Sequence, residues 1–316
     1  MITEHWIEPA AHLEIVIRWA DRYIELRPEV RVVVHLQQKY LKEIPARLRK
    51  TPQFQWVSPA RGQSWSCYFA GWVEELTAAE RVILITTAGR YDYFKRVRKP
   101  LRLTVVAHNL HWLLAVRRFR EPGLRHLARR LKQWRRNGNR IKLLARAAAL
   151  AVPTRQMADY ARNELKHEGK IVVLPFAFAP AGTAPPPLPL PGEELCIAIP
   201  GTVRERGRDW AAGQTKLLEL ATRYHCRIEL VGRLAEPKIA RRLRAAGLEV
   251  VTHSHTLSEE EYQSALVRAH VVWVPLPEFV SVAGYRERLG YSKISGGWFD
   301  AVAAGKKPGG GVGLVL

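Results

Sequence analysis

Between Glu194 and Pro308 the chain alternates short aliphatic runs with helical stretches, and this alternation narrows the possible folds more than any other feature. Leu195-Cys196-Ile197-Ala198-Ile199 ends at Pro200-Gly201 and opens into a basic loop, Thr202-Val203-Arg204-Glu205-Arg206-Gly207-Arg208-Asp209-Trp210. A second run, Arg227-Ile228-Glu229-Leu230-Val231, ends at Gly232-Arg233. A third, Glu249-Val250-Val251, leads to Leu257-Ser258-Glu259-Glu260-Glu261-Tyr262, a helix start. A fourth, His270 to Leu276, precedes a loop, and Tyr291 to Pro308 carries Gly296-Gly297 into a last helix. Strands alternating with helices predict a parallel sheet, whose ligands sit at the carboxyl ends of the strands. Gly201, Gly232 and Gly296 fall at such ends or at helix starts.

The first half alternates too. Residues 12–27 place Leu13, Val16, Ile17, Ala20 and Ile24 on one helical face. Strands are expected at 31–36, 81–86, 103–108, 147–152 and 170–175. A strand before the first helix has only Met1 to Ile7 to draw on, and that stretch holds Glu4 and His5, so either a short strand or a chain trimmed at its start is expected. Residues 180–191 contain six prolines, a composition that makes an extended, semi-rigid connector. The expected organisation is therefore a first domain over 1–179, a linker over 180–193 and a second domain over 194–316. A length of 316 residues suits two domains.

An apolar content of 47% with ten tryptophans is that of a globular protein rather than a disordered one. Cys67, Cys196 and Cys226 are scattered without metal-ligand spacing, which argues against a disulfide framework and for a reducing compartment. No secretory leader is legible in Met1-Ile2-Thr3-Glu4-His5, and no run approaches the ~20 apolar residues that span a bilayer. The formal charge of +21 calls for an anionic partner or surface. Much of it lies between Arg117 and Arg146, with twelve Lys or Arg and one acid, Glu121. Leu124, Leu127, Leu131 and Trp134 lie there at helical spacing. Four readings of this segment stand: docking to an anionic membrane surface, binding of an acidic saccharide, binding of nucleic acid, or a solvated arginine-rich helix.

The order of pieces in the last third resembles the nucleotide-donor domain of GT-B glycosyltransferases, especially those of glycosyltransferase family 4. The resembling pieces are strand, glycine and basic loop; a strand ending in Val231-Gly232; the Leu257 to Glu261 helix start; and Asp300-Ala301-Val302-Ala303-Ala304-Gly305-Lys306. The resemblance implies two Rossmann-like domains facing across a cleft, and a chain shortened at both ends, since it stops soon after Pro308. It implies no permanently bound cofactor and no metal, with a UDP- or GDP-sugar as co-substrate. Arg208 sits at the spacing from Gly201 where the family places a phosphate-binding base, while Thr202 replaces the arginine that often follows the glycine and leaves Arg204 as a substitute. Asp300 matches the acid that holds the ribose at the start of the last helix. Eight residues earlier stands Ser292 rather than an acid, with Lys293 beside it, placed to face the diphosphate. His108 matches a histidine near the sugar and acceptor, with Asn109 where the family carries aspartate and His111 as a second candidate. Gly232 and Arg233 are expected to line the nucleotide crevice, and Glu278 to lie in an acidic loop.

The expected catalytic residues are thus His108, Arg208 and Lys293, and the expected donor-binding residues Gly201, Arg204, Arg208, Gly232, Lys293, Gly296 and Asp300. The expected function is transfer of a sugar from a nucleotide sugar to a saccharide or lipid-linked acceptor with retention, in cell-envelope polysaccharide synthesis. Its expected place is the cytoplasm, peripheral at the inner membrane face. Two other classes remain open: a glycosyltransferase-like nucleotide-binding protein without turnover, and a nucleic-acid-binding protein acting through 117–146. The second lacks any helix-turn-helix, stacked-aromatic or zinc signal.

Overall fold

Strands covered on both faces read as nearly unbroken runs of Val, Ile, Leu and Ala. In the computed structural model such runs form the centres of two parallel sheets. The structure describes residues 2–9, 12–87, 91–114, 127–179, 186–255, 257–282, 285–306, 308–311 and 314–315, with the side chains of 127–134, 308–311 and 314–315 excepted. The chain divides into two compact units, Met1–Phe176 and Ala177–Leu316. Of the expected linker, 180–185 lie outside the described residues. Its end is tied to the second unit, where Gly192 donates to the Arg223 carbonyl at 2.8 Å.

In the first unit the elements run β1 (Ile2–Glu8), α1 (Leu13–Leu26), β2 (Val30–Leu36), a 3-10 turn (Gln38–Lys42), α2 (Ala46–Lys50), β3 (Phe54–Val57), α3 (Trp65–Ala70), α4 (Val73–Ala78) and β4 (Arg81–Leu84). Then come β5 (Leu103–Val106), α5 (Leu110–Leu114), α6 (Leu127–Ala145), β6 (Ala147–Val152), α7 (Arg155–Asn163) and β7 (Ile171–Val173). The seven strands are ordered β3-β2-β1-β4-β5-β6-β7, all in parallel.

The first strand is neither short nor marginal. β1 lies in the middle of the sheet, its seven residues in register with β2. Its polar residues are buried with partners rather than exposed. Glu4 accepts from the Tyr23 hydroxyl at 2.9 Å and from Trp6 Nε1 at 3.2 Å. His5 Nδ1 lies 2.8 Å from His35 Nε2, and His35 Nδ1 lies 3.0 Å from the Tyr68 hydroxyl. Burial, with Arg31 adding to it, pulls the His5 pKa down to about 4, and burial beside His5 holds His35 well below the ordinary value.

The second unit holds β8 (Glu194–Pro200), α8 (Trp210–Ala221), β9 (His225–Val231), α9 (Pro237–Ala245), β10 (Glu249–Thr252), α10 (Glu259–Arg268) and β11 (Val271–Trp273). It continues with β12 (Phe279–Val282), β13 (Tyr285–Arg288), α11 (Gly296–Ala303), β14 (Pro308–Gly311) and β15 (Leu314–Val315). Its sheet runs β10-β9-β8-β11-β15-β14. The first four strands are parallel, and β15 pairs antiparallel with both β11 and β14. In both sheets the order reverses after the third position, the pattern of a Rossmann-like unit. The fold class read from the sequence, α/β with two Rossmann-like units, is the one observed. None of the described helices is long and apolar enough to cross a membrane.

Local chemistry explains the boundaries. α10 opens on a capping box, in which Ser258 Oγ accepts from the Glu261 amide and Glu261 accepts from the Ser258 amide at 2.7 Å. It closes on Lys306, only 2% exposed, whose ammonium donates to the carbonyls of Val267 and Ala269. The lysine of the Gly305-Lys306 step is therefore a helix cap. α8 lies so close to β11 that a Cβ on Gly213 would stand 2.3 Å from the Trp273 ring.

Candidate functional site

At the order reversal of the second sheet, between β8 and β11, lies a cavity of about 880 Å³. The loop after β8 supplies Thr202, Arg204, Arg206, Gly207 and Arg208; the segment after β11 supplies Leu276, Pro277 and β12; and Leu289, Lys293, Ser295 and Gly296 close it. This is where a doubly wound sheet offers its crevice.

Two glycines let the strand ends meet. Gly201 follows β8 with φ +81°, and Gly232 follows β9 with φ +144°. A Cβ on Gly232 would stand 2.5 Å from the Gly201 carbonyl oxygen. The Gly201 amide donates to the Val231 carbonyl at 2.8 Å, which locks the approach. Gly232 thus holds the end of β9 against Gly201, and none of Gly201, Gly232 and Arg233 lines the cavity.

The basic loop is pinned at several points. Trp210 Nε1 donates to the Arg204 carbonyl at 2.8 Å, the Asp209 amide donates to the Pro275 carbonyl at 2.9 Å, and the Asp209 side chain caps α8. Arg208 Nη2 donates to the Pro200 carbonyl at 2.8 Å, while Nη1 is buried without a hydrogen-bond partner. Burial pulls the Arg208 pKa below its ordinary value; Tyr262 works against that shift and Arg204 with it. A guanidinium remains charged under such a shift.

Lys293 faces the same cavity, its pKa lowered by burial with Glu287 opposing. Its neighbour Ser292 is wholly buried and accepts from the Arg288 amide at 2.7 Å, so the residue eight before Asp300 serves the turn. α11 begins at Gly296, with Ser295 at its N-cap making no side-chain cap bond. A Cβ on Gly297 would stand 3.1 Å from both Pro200 and Val274, which seats the helix start on the ends of β8 and β11.

The structure departs from the sequence reading at several residues. Asp300 is not at the start of the last helix but one turn in, because Gly296-Gly297 open it. It accepts from the Tyr262 hydroxyl at 2.9 Å and does not line the cavity. Glu278 pairs with Arg288 at 3.1 Å, and the expected loop after β11 contains the hairpin β12–β13. Sequence reasoning missed this wall, whose Phe279, Val280 and Val282 add apolar groups to the cavity lining. Its one available signal was the alternation Phe279-Val280-Ser281-Val282.

His108 lies in the other unit, half-buried just past β5, with Nε2 2.8 Å from the Ile85 carbonyl. His111 turns to the Tyr160 hydroxyl at 3.0 Å. Of the basic segment, 117–126 lie outside the described residues. Arg140 and Arg146 serve the fold, donating to the carbonyls of Trp112 and Phe94, each at 2.8 Å.

No family model matches the chain. No curated protein matches it either. Solved structures with a similar chain path include the lipopolysaccharide outer core galactosyltransferase WaaB in its apo form (14% identity, 79% of this chain and 67% of that one, TM-score 0.47). They include a ugt transferase from Siraitia grosvenorii in complex with UDP (9% identity, 87% and 77%, TM-score 0.48). A third is UDP-GlcNAc 2-epimerase from Neisseria meningitidis bound to UDP-GlcNAc (11% identity, 87% and 76%, TM-score 0.45).

Proposed function

We propose that the second unit binds the diphosphate of a nucleotide sugar, and that the protein is a glycosyltransferase moving the sugar to a saccharide or lipid-linked acceptor. The observation that carries this reading is Arg208, which lines the cavity between β8 and β11 and whose Nη1 is buried without a hydrogen-bond partner. A buried donor without a partner is costly, and an anionic oxygen satisfies it. Arg204, Arg206 and Lys293 add positive charge, and no carboxylate lines the cavity among the described residues. That lining favours a diphosphate without a bridging metal ion. As the sugar leaves, charge grows on the phosphate, and fixed cations stabilise it. Arg208 and Lys293 are the groups proposed to do so, with Gly201, Gly232 and Gly296 shaping the backbone around them. Asp300, whose Oδ2 already accepts from Tyr262, is proposed to hold the ribose hydroxyls. His108 is proposed to orient the acceptor. Retention, a UDP or GDP donor and action at the cytoplasmic membrane face belong to the same reading through the family resemblance.

The test is calorimetric titration with UDP, GDP and their sugars, on the wild type and on Arg208→Ala. Binding of one nucleotide that weakens at least tenfold in the variant supports the reading. Equal binding by both proteins, or by neither, overturns it. Binding without sugar transfer to any acceptor places the chain among nucleotide-binding proteins that do not turn over.

A further inference from the structure

The first sheet has its own order reversal, between β1 and β4. Glu8 ends β1 there and is fully buried. Thr86, just past β4, donates from Oγ1 to Glu8 Oε2 at 2.6 Å. His108 sets Nε2 2.8 Å from the Ile85 carbonyl and 3.5 Å from Thr86 Oγ1. The ring stacks on His12, with centroids 4.5 Å apart and planes 15° apart, and lies 4.7 Å from Phe176. His12 in turn sits 3.0 Å from Glu14. Among the described residues, the ionisable groups that these contacts bring to the ring are Glu8 through Thr86, and His12 with Glu14 behind it.

A carbonyl only accepts, so the nitrogen facing Ile85 carries a proton. Thr86 has one hydroxyl proton, and the bond to Glu8 consumes it. Towards Nε2 the threonine then presents lone pairs alone. The Ile85 carbonyl and Thr86 Oγ1 both face Nε2 as acceptors, and Glu8 is what makes Thr86 one. The carboxylate also adds negative charge near the ring, which favours its protonated form.

We propose that Glu8 is a positioning residue for His108: by taking the Thr86 proton it leaves Oγ1 an acceptor beside Nε2, so that the threonine reinforces the ring proton that the Ile85 carbonyl calls for there. The use of this ring on an acceptor hydroxyl rests on the glycosyl-transfer reading above, whereas the positioning itself does not.

The experiment is two-bond ¹H–¹⁵N NMR of the full chain without nucleotide, with the His108 signals assigned by their loss in His108→Gln. The expected spectrum is that of an Nε2–H ring. In Glu8→Gln the ring's titration midpoint should fall by about one pH unit, the effect of removing one charge at this range. Thr86→Val should lower it too, while Thr86→Ser, which keeps the hydroxyl, should match the wild type. An Nδ1–H ring overturns the proposal, and so does an unmoved midpoint in folded Glu8→Gln and Thr86→Val. If Glu8→Gln does not fold, the contrast between Thr86→Val and Thr86→Ser decides. The expected His108 behaviour in a sample that binds no nucleotide would support the positioning and count against the proposed function.

Discussion

Arg208 spends one arm of its guanidinium on the Pro200 carbonyl and leaves the other buried and unpartnered, so its two arms answer to different tasks. A lysine at this position keeps the charge but cannot hold both directions. Arg208→Ala should therefore weaken nucleotide binding by about 1.5–3 kcal/mol, roughly ten- to a hundredfold in Kd, and Arg208→Lys by less. Both are checked in the same calorimetric series. Gly232 is under a different constraint, because backbone rather than a movable side chain blocks the space above its Cα. Gly232→Ala should cost roughly 1–3 kcal/mol of stability and loosen the strand ends around the cavity. A denaturant melt showing no loss would mean that the two strand ends are free to part.

Close contacts between elements carry the next set of consequences. Gly213 brings α8 onto the Trp273 ring of β11, so Gly213→Ala should overpack that seam and destabilise the unit by about 1–3 kcal/mol, despite the better helix propensity of alanine. A rise in melting temperature would contradict this packing. Lys306→Met should cost about 1–3 kcal/mol by leaving the last carbonyls of α10 without their donor. The same elements show what a sequence reveals and what it hides. The buried runs of β8, β9 and β11 and the start of α10 are local patterns and were legible. β1 was not, because Glu4 and His5 look like surface residues until their partners Tyr23 and His35 arrive from other elements. Asp300 was legible as an acid at a family spacing, but its turn of the helix depends on where Gly296-Gly297 begin α11. The β12–β13 hairpin hid behind the charged residues Arg286, Glu287 and Arg288, of which Glu287 is wholly buried.

At the scale of the whole chain, the buried pair His5 and His35 ties stability to acidity. An unfolded histidine titrates near 6.5, and folding holds His5 at about 4 and His35 lower than its ordinary value. Each therefore takes up its proton more readily in the unfolded chain. The stability they permit is complete above about pH 6.5 and is lost as the pH falls towards 4, by up to about 1.4 kcal/mol per pH unit for each proton bound. Thermal melts across that interval should show a falling midpoint, with a shallower fall in His5→Gln. A flat profile would show the pair to be solvated. Elsewhere, among the described residues, β12 and β13 pair with each other and form no rung of the six-stranded sheet. Drift in Phe279, Val280 or Val282 therefore alters the wall of the cavity while the strands beneath keep their partners. Descendants of this chain can try new ligands at that wall without renegotiating their fold.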